Sequence, residues 1–344
     1  MTQKLVVIIP HFNGEAILRR CLHSLENTAY PDFSVFIVDN GSTDGSMDMV
    51  RREFPGVRIH SSRINRGYAG GCNTGLRFSH SEYVVFLNND AVVTRDWLTP
   101  VMALFEKHPD IAAIQPKILS TKQSQQFDYS GAAGGEMDIF GYPFARGRLF
   151  DYLEQDSGQY EGTHEIFWAS GAAMGVRRSA LHRVGYFEEA FFAHMEEIDL
   201  CWRFHLAGYR VASVTESIVY HQSGGTLGKE RLEKMILNHR NNLLMVLRNY
   251  STETLLLLLP VRLILEFCTV LFSLISGQFK RALAVPVGLW GAGRHWNTVL
   301  RGRKKVKQIR VCSDSGIRRR LYHGSVAFSF FLQGKKTYLD LYRK

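Results

Sequence analysis

Between residues 4 and 119 short apolar runs alternate with amphipathic stretches, and this alternation limits the possible folds more than any other feature. Leu5–Ile9, Phe33–Val38, Val57–His60 and Tyr83–Leu87 read as strands. Their largely continuous apolar character suits a parallel sheet covered on both faces. Amphipathic stretches near 15–27, 44–53, 69–79 and 95–107 read as the intervening helices. Strand and helix in strict alternation imply a doubly wound α/β layer. From Thr121 to Glu165 the pattern weakens, which predicts long loops and short hairpins over the sheet. A second ordered block follows from Phe167 to about Thr226. We divide the chain into an α/β unit, 1–228, and a helical, basic unit, 229–344.

The second unit differs in chemistry. Lys229–Tyr250 reads as a helix, followed by Leu255–Leu259, Pro260 and an apolar run to Ser276. Arg262 and Glu266 interrupt that run, and each would cost about 2.5–3.5 kcal/mol at a bilayer centre. Their i,i+4 spacing lets them pair on one face. The next apolar piece, 282–293, is too short to span. Interfacial or re-entrant helices are expected rather than a clean span, the remaining alternative being a helical cap packed on the first unit. The net charge of +10 is confined to the tail: residues 301–344 carry +11, leaving −1 for the first 300. A basic tail beside an apolar segment fits an anionic membrane surface. It does not fit a nucleic-acid enzyme, whose cations line a working groove. With 45% hydrophobic and 22% charged residues the chain is not disordered, collagenous or coiled-coil. Five scattered cysteines without a C-x-x-C pair argue against a disulfide framework or a thiolate zinc site. The first apolar run is too short for a secretory signal, so the expected location is the cytoplasmic face of the plasma membrane, peripheral or monotopic.

Ligands of open α/β sheets sit beyond the carboxyl ends of the strands. The first strand runs into Pro10-His11-Phe12-Asn13-Gly14-Glu15 and the second into Asp39-Asn40-Gly41-Ser42-Thr43-Asp44-Gly45-Ser46. Pro10 and Asn13 can shape the first loop, with Phe12 lining a base pocket; taken alone the stretch is a strand-to-helix turn with Asn13 as N-cap. Asp39, at a strand tip, can accept an N–H from a pyrimidine. No G-x-G-x-x-G follows either strand, which disfavours a dinucleotide-dependent dehydrogenase.

These two motifs, with Asn65-Arg66-Gly67-Tyr68-Ala69-Gly70-Gly71-Cys72-Asn73-Thr74-Gly75 and Leu87-Asn88-Asn89-Asp90, resemble in order and spacing the family 2 inverting glycosyltransferases of the GT-A fold. The resemblance is greatest to the bacterial rhamnosyltransferase-like subgroup that builds surface polysaccharides, and further matches lie in 167–225. It implies a UDP- or dTDP-sugar donor, dTDP-rhamnose among the candidates. It implies a glycan or lipid-linked acceptor and a divalent cation, Mg2+ or Mn2+. Where the family carries D-x-D, this chain has Asn88-Asn89-Asp90, so Asp90 alone is ionised, with Asn89 beside the donor. Arg66 is expected to meet phosphate or orient Asp90, with Gly67 and Asn73 as further donor-site residues. The small residues of Trp168–Arg178 would leave room for a sugar. In Glu196-Glu197-Ile198-Asp199 the family's catalytic base falls on Glu197, with Glu196 as runner-up and Asp199 holding the helix start or a neighbour. His221, in Val219–Thr226, is either a metal or diphosphate contact or a structural histidine. The rival reading is a nucleotide-sugar-binding scaffold without turnover.

Overall fold

A computed structural model describes residues 3–222 and 232–343. The 228/229 boundary, the Ser223–Thr226 end of the last motif and the expected start of a helix at Lys229 lie outside the described residues.

The chain runs β1 (Leu5–His11), α1 (Glu15–Glu26), β2 (Phe33–Asp39), α2 (Ser46–Glu53), β3 (Arg58–Ser61), α3 (Gly67–Arg77), β4 (Tyr83–Leu87), β5 (Ala91–Val93), α4 (Leu98–Lys107) and β6 (Ile111–Ser120). The weakly patterned stretch then forms a small antiparallel sheet of β7 (Gly135–Met137), β8 (Pro143–Ala145), β9 (Arg148–Leu149) and β10 (Tyr152–Leu153). The main sheet resumes with β11 (Thr163–Glu165), β12 (Ala173–Arg177), α5 (Arg178–Val184), α6 (Glu196–Leu206) and β13 (Arg210–His221). Its order is β11–β13–β6–β12–β4–β1–β2–β3, with β5 added beside β13. β1, β2, β3 and β4 are mutually parallel, as are β6 and β13, whereas β12 runs antiparallel between β4 and β6.

The alternation of β1 explains why this sheet is covered on both sides. Leu5, Val7 and Ile9 enter one core with Leu18, Leu22, Val50 and Phe105. Val6 and Ile8 enter the other with Cys72, Leu76, Leu181 and Trp202. α3 approaches β1 closely enough that a Cβ on Gly75 would lie 2.4 Å from Ile8 Cγ2.

The C-terminal elements are α7 (Leu232–Asn249), α8 (Thr252–Ile275), α9 (Phe279–Arg294), α10 (Trp296–Ile309), α11 (Asp314–Arg318), α12 (Val326–Phe331) and α13 (Tyr338–Tyr342). Leu244, Met245, Tyr250, Val299 and Ile317 belong to the same core as Val6 and Trp202, so this part shares the hydrophobic interior of the sheet domain. The basic tail is partly spent internally. Arg303 donates to the Leu247 and Tyr250 carbonyls at 2.7 and 2.9 Å, and Arg310 pairs with Asp314 at 2.5 Å. Tyr322 N donates to Met137 O at 2.9 Å and Val326 N to the buried Asp138 at 3.0 Å.

Candidate active site

The chain leaves β1 for one neighbour, β2, and returns beside its other flank as β4. The crevice beyond this reversal is where such sheets bind ligands. In register, Pro10 lies opposite Val38 and His11 opposite Asp39. Asp39 is buried and accepts from Ser42 N at 2.8 Å. Asn13 is not the helix cap expected of it. It has φ +54°, Gly14 takes the cap position, and the amides of Gly14 and Glu15 donate to Asp44 at 2.7 and 3.2 Å. Asn13 instead accepts from Thr43 N at 2.8 Å, joining the loops after β1 and β2 into one wall, with the exposed Phe12 ring on it.

His11, which no motif singled out, sits at the centre. It is buried, and its Nδ1 accepts from Asn89 Nδ2 at 2.8 Å. Burial pushes its imidazole down to about 4 against the pull of Asp44 and Asp39, so the ring is neutral at pH 7. With Nδ1 accepting, Nε2 carries the proton, and that atom is buried without a partner. Asn89 is therefore turned inward on His11. Arg66 does not orient Asp90: its carboxylate neighbour is Glu189, at 4.0 Å. Asn73 is a clamp, donating to Phe187 O and Glu189 and accepting from Phe187 N. Gly67, at φ +68°, lets the Phe192 carbonyl approach: a Cβ there would stand 2.2 Å from it.

Asp90 and His221 meet at the tips of β4 and β13. His221 Nε2 lies 3.0 Å from Asp90 Oδ1, and Nδ1 lies 2.9 Å from Asp128. Burial would lower the His221 pKa, but these two carboxylates hold it at about 10. Asn88 Nδ2 is also 3.0 Å from Nε2. Asp90 Oδ1 is buried and makes no well-directed hydrogen bond. A cleft of about 500 Å³ has Asp90 in its wall, with Arg20 and Lys122 among its lining. Among the described residues no group of three or more His, Cys, Asp or Glu side chains is placed to hold a metal. At pH 7 His221 is an imidazolium paired with Asp90, so a divalent cation would have to displace its Nε2 proton; Asp90 Oδ1 and that nitrogen, 3.0 Å apart, would then be available to ligate it together with a diphosphate.

The acidic cluster opens α6. Glu196 is buried and Glu197 is partly open, and each has one buried carboxylate oxygen without a partner. Burial raises the pKa of both, and the charge of Glu197 raises Glu196 further. Of the two, Glu197 is the one that reaches solvent. Asp199 is different: burial alone would raise it, but Arg248 and Arg203 hold it low, and Arg203 Nε stands 2.9 Å away. The chain enters α6 through Phe192, His194 and Met195, all at positive φ (65°, 71° and 72°). Such backbone persists only where its surroundings over-determine it. Here Asn241 of α7 does so, donating to the carbonyls of Phe191, Ala193 and His194 at 2.9, 2.9 and 2.8 Å.

In the 168–178 block the small residues and the arginines separate along β12. Ala173 pairs with Leu87 at the carboxyl end of β4, and Asn88 N donates to Ala172 O at 3.0 Å. Arg177 pairs with Tyr83 at the opposite end, where it and Arg178 satisfy carbonyls of Phe105, His108 and Leu76.

A model of the family described as glycosyl transferase family 2 matches residues 6–185. An N-acetylglucosaminyl-diphospho-decaprenol L-rhamnosyltransferase of Mycobacterium tuberculosis is 25% identical over 266 residues, 73% of this chain and 86% of that protein. A pre-mycofactocin glycosyltransferase of the same species is 29% identical over 223 residues, 62% of this chain but 42% of that protein. Among solved structures, GalNAc-T7 with UDP, GalNAc and Mn2+ aligns with TM-score 0.58 at 14% identity, covering 74% of this chain and 49% of that one. A mannosyltransferase from Pyrobaculum calidifontis with GDP-Man and Mn2+ aligns with TM-score 0.52 at 15% identity, covering 90% and 85%. At these identities the two structures establish the GT-A fold alone.

Proposed function

This chain is a glycosyltransferase of family 2, and from that premise we propose that it transfers a sugar with inversion from a UDP- or dTDP-sugar to a hydroxyl of a lipid-linked glycan during cell-surface polysaccharide synthesis. The observation that carries the proposal is the Glu196–Glu197 pair, whose unpartnered carboxylate oxygens stand at the head of α6. A carboxylate raised by burial is a stronger base, and Glu197 is the accessible one. The acceptor oxygen bonds to the anomeric carbon as the carbon–diphosphate bond breaks. The acceptor proton goes to Glu197, and the bonding electrons leave with the diphosphate. Asp39 and the wall formed by residues 11–15 and 40–46 receive the nucleoside, and His11 offers Nε2–H to a donor oxygen. Asp90 and His221 would hold Mg2+ or Mn2+, which would neutralise charge on the departing diphosphate. The lipid-linked acceptor and a deoxyhexose donor are supported by the mycobacterial rhamnosyltransferase, which covers most of this chain. The cations of 301–344 that remain exposed, such as Lys304 and Lys305, support contact with an anionic membrane surface.

A nucleotide-sugar-binding scaffold is the second reading, favoured by the small number of ionised metal ligands. Thermal shift with a panel of nucleoside diphosphate sugars, with and without Mn2+, identifies the donor, because binding stabilises the fold by mass action. Turnover of the stabilising sugar then separates the readings. Binding without transfer or donor hydrolysis would leave the scaffold, and no binding would refute both. Asp39→Ala should weaken binding of the free nucleoside diphosphate while leaving the melting temperature of the unliganded protein near its original value.

A further inference from the structure

Helix α8 is built inside out. Leu256, Leu257, Ile264 and Phe267 are 74%, 72%, 61% and 61% exposed, whereas its charged residues Arg262 and Glu266 are 2% and 1% exposed. Arg262 pairs with Glu266, donates to the Phe140 carbonyl at 2.9 Å, and lies over the Tyr142 ring. Glu266 also meets His239 of α7 at 2.9 Å. The exposed apolar surface continues on α9 through Phe279, Leu283 and Trp290. Cations accompany it: Lys280 and Arg281 follow Phe279, and the Arg294 guanidinium lies 4.7 Å from the Trp290 ring centre.

We propose that this face of α8 and α9 lies flat in the headgroup–acyl boundary of an anionic lipid bilayer, with α8 parallel to the membrane plane. A contiguous exposed apolar face marks an interaction or membrane site, and its flanking cations and the exposed Trp290 indole match the composition of a lipid interface. Length does not decide the orientation, since 24 residues extend about 36 Å, enough to cross. The buried polar side decides it. To cross, α8 would have to leave the domain, taking Arg262 and Glu266 away from His239, Tyr142 and the Phe140 carbonyl and into hydrocarbon. Lying flat keeps every one of those bonds and covers the apolar face.

The arrangement also links the membrane to the chemistry, a step that rests on the transferase reading. His239 and Asn241 share α7, and Asn241 holds the strained loop that leads into Glu197. A helix seated on the lipid is therefore joined through one rigid element to the base, and a lipid-tethered acceptor would be met near the plane in which it diffuses.

The test uses the full chain in detergent, diluted into vesicles of phosphatidylcholine with or without phosphatidylglycerol. Wild type should float with both and more strongly with the anionic vesicles. The double variant Ile264→Asp/Phe267→Asp should lose at least tenfold in vesicle affinity with an unchanged melting temperature, because both side chains face solvent. Undiminished vesicle binding by that variant would overturn the proposal. So would a wild type that ignores vesicles and forms a dimer which the double variant breaks. Orientation is read from fluorophores on Leu257→Cys, Ile264→Cys and Leu271→Cys, each with Cys268→Ser, quenched by brominated lipids. One common shallow depth is expected, and depths running through the bilayer centre would refute the flat placement. Lys280→Glu/Arg281→Glu/Arg294→Glu should reduce binding to anionic vesicles only; equal binding would refute the electrostatic part. Nucleotide-induced thermal shift on the same preparations keeps the two readings apart, since its failure would count against the transferase assignment and leave the vesicle results standing.

Discussion

Asn241→Ala should separate binding from catalysis, because Asn241 touches neither the loops after β1 and β2 nor Asp90 and His221, yet holds the approach to Glu197. The variant loses three hydrogen bonds to main-chain carbonyls of a segment with three non-glycine residues at positive φ. A net hydrogen bond contributes about 0.5–1.5 kcal/mol, and part of the loss is recovered as the strained backbone relaxes and water reaches the two outer carbonyls. The expected destabilisation is about 2–4 kcal/mol, seen as a fall of several degrees in melting temperature. The relaxed loop carries the head of α6 with it, and misplacement of a reacting group by about 1 Å can cost about 100-fold in rate. The turnover number should therefore fall by roughly that factor while the donor dissociation constant stays within about threefold. Thermal unfolding, titration with donor and steady-state transfer measure the three quantities on one preparation. Turnover within twofold of wild type, alongside the expected loss of stability, would refute the idea that α7 sets the position of the base.

Glu197→Gln should keep donor binding and lose about 10²–10⁴ in turnover, whereas Glu196→Gln should be milder; the reverse order in a transfer assay would move the base to Glu196. Both carboxyl groups are raised above the unfolded value near 4.3, so the folded state holds protons that the unfolded state gives up. Stability should fall as pH rises from about 4.3 through the folded pKa values, and thermal unfolding of Glu196→Gln should follow a flatter curve between pH 5 and 8. Turnover should rise over the same range as Glu197 ionises, and a rate that declines there would exclude it as base. Asp128→Ala should weaken Mn2+ binding about 10- to 100-fold in calorimetry with nucleoside diphosphate present, by freeing the His221 ring. Asp128→Asn, which still accepts from Nδ1, should retain more affinity.

The amino-acid sequence by itself determined the parallel strands at the heart of the sheet and the loops at their carboxyl ends. Strands apolar on both faces need helices on both sides, and a strand tip followed by a helix start is local information, so the loops after β1, β2 and β4 were readable from their own residues. Periodicity reports how an element is buried, not what buries it, and that choice belonged to the tertiary structure. Asp128 lies in a weakly patterned stretch 93 residues before the His221 it orients. His11 became a poised donor only when Asn89, 78 residues away, claimed its other nitrogen. Asn73 bonds the Phe187 backbone 114 residues on, and Arg66 has Glu189 beside it, neighbours that no local motif could name. α7 looked in sequence like the start of a separate region, yet its Asn241 reaches back 47 to 50 residues to hold the loop that leads into Glu197. Arg262 and Glu266 were legible as a pair, but their burial was not: local spacing can bring two charges together, and only a folded surface with His239 and a free carbonyl can make their inward placement cheaper than exposing them to water or lipid.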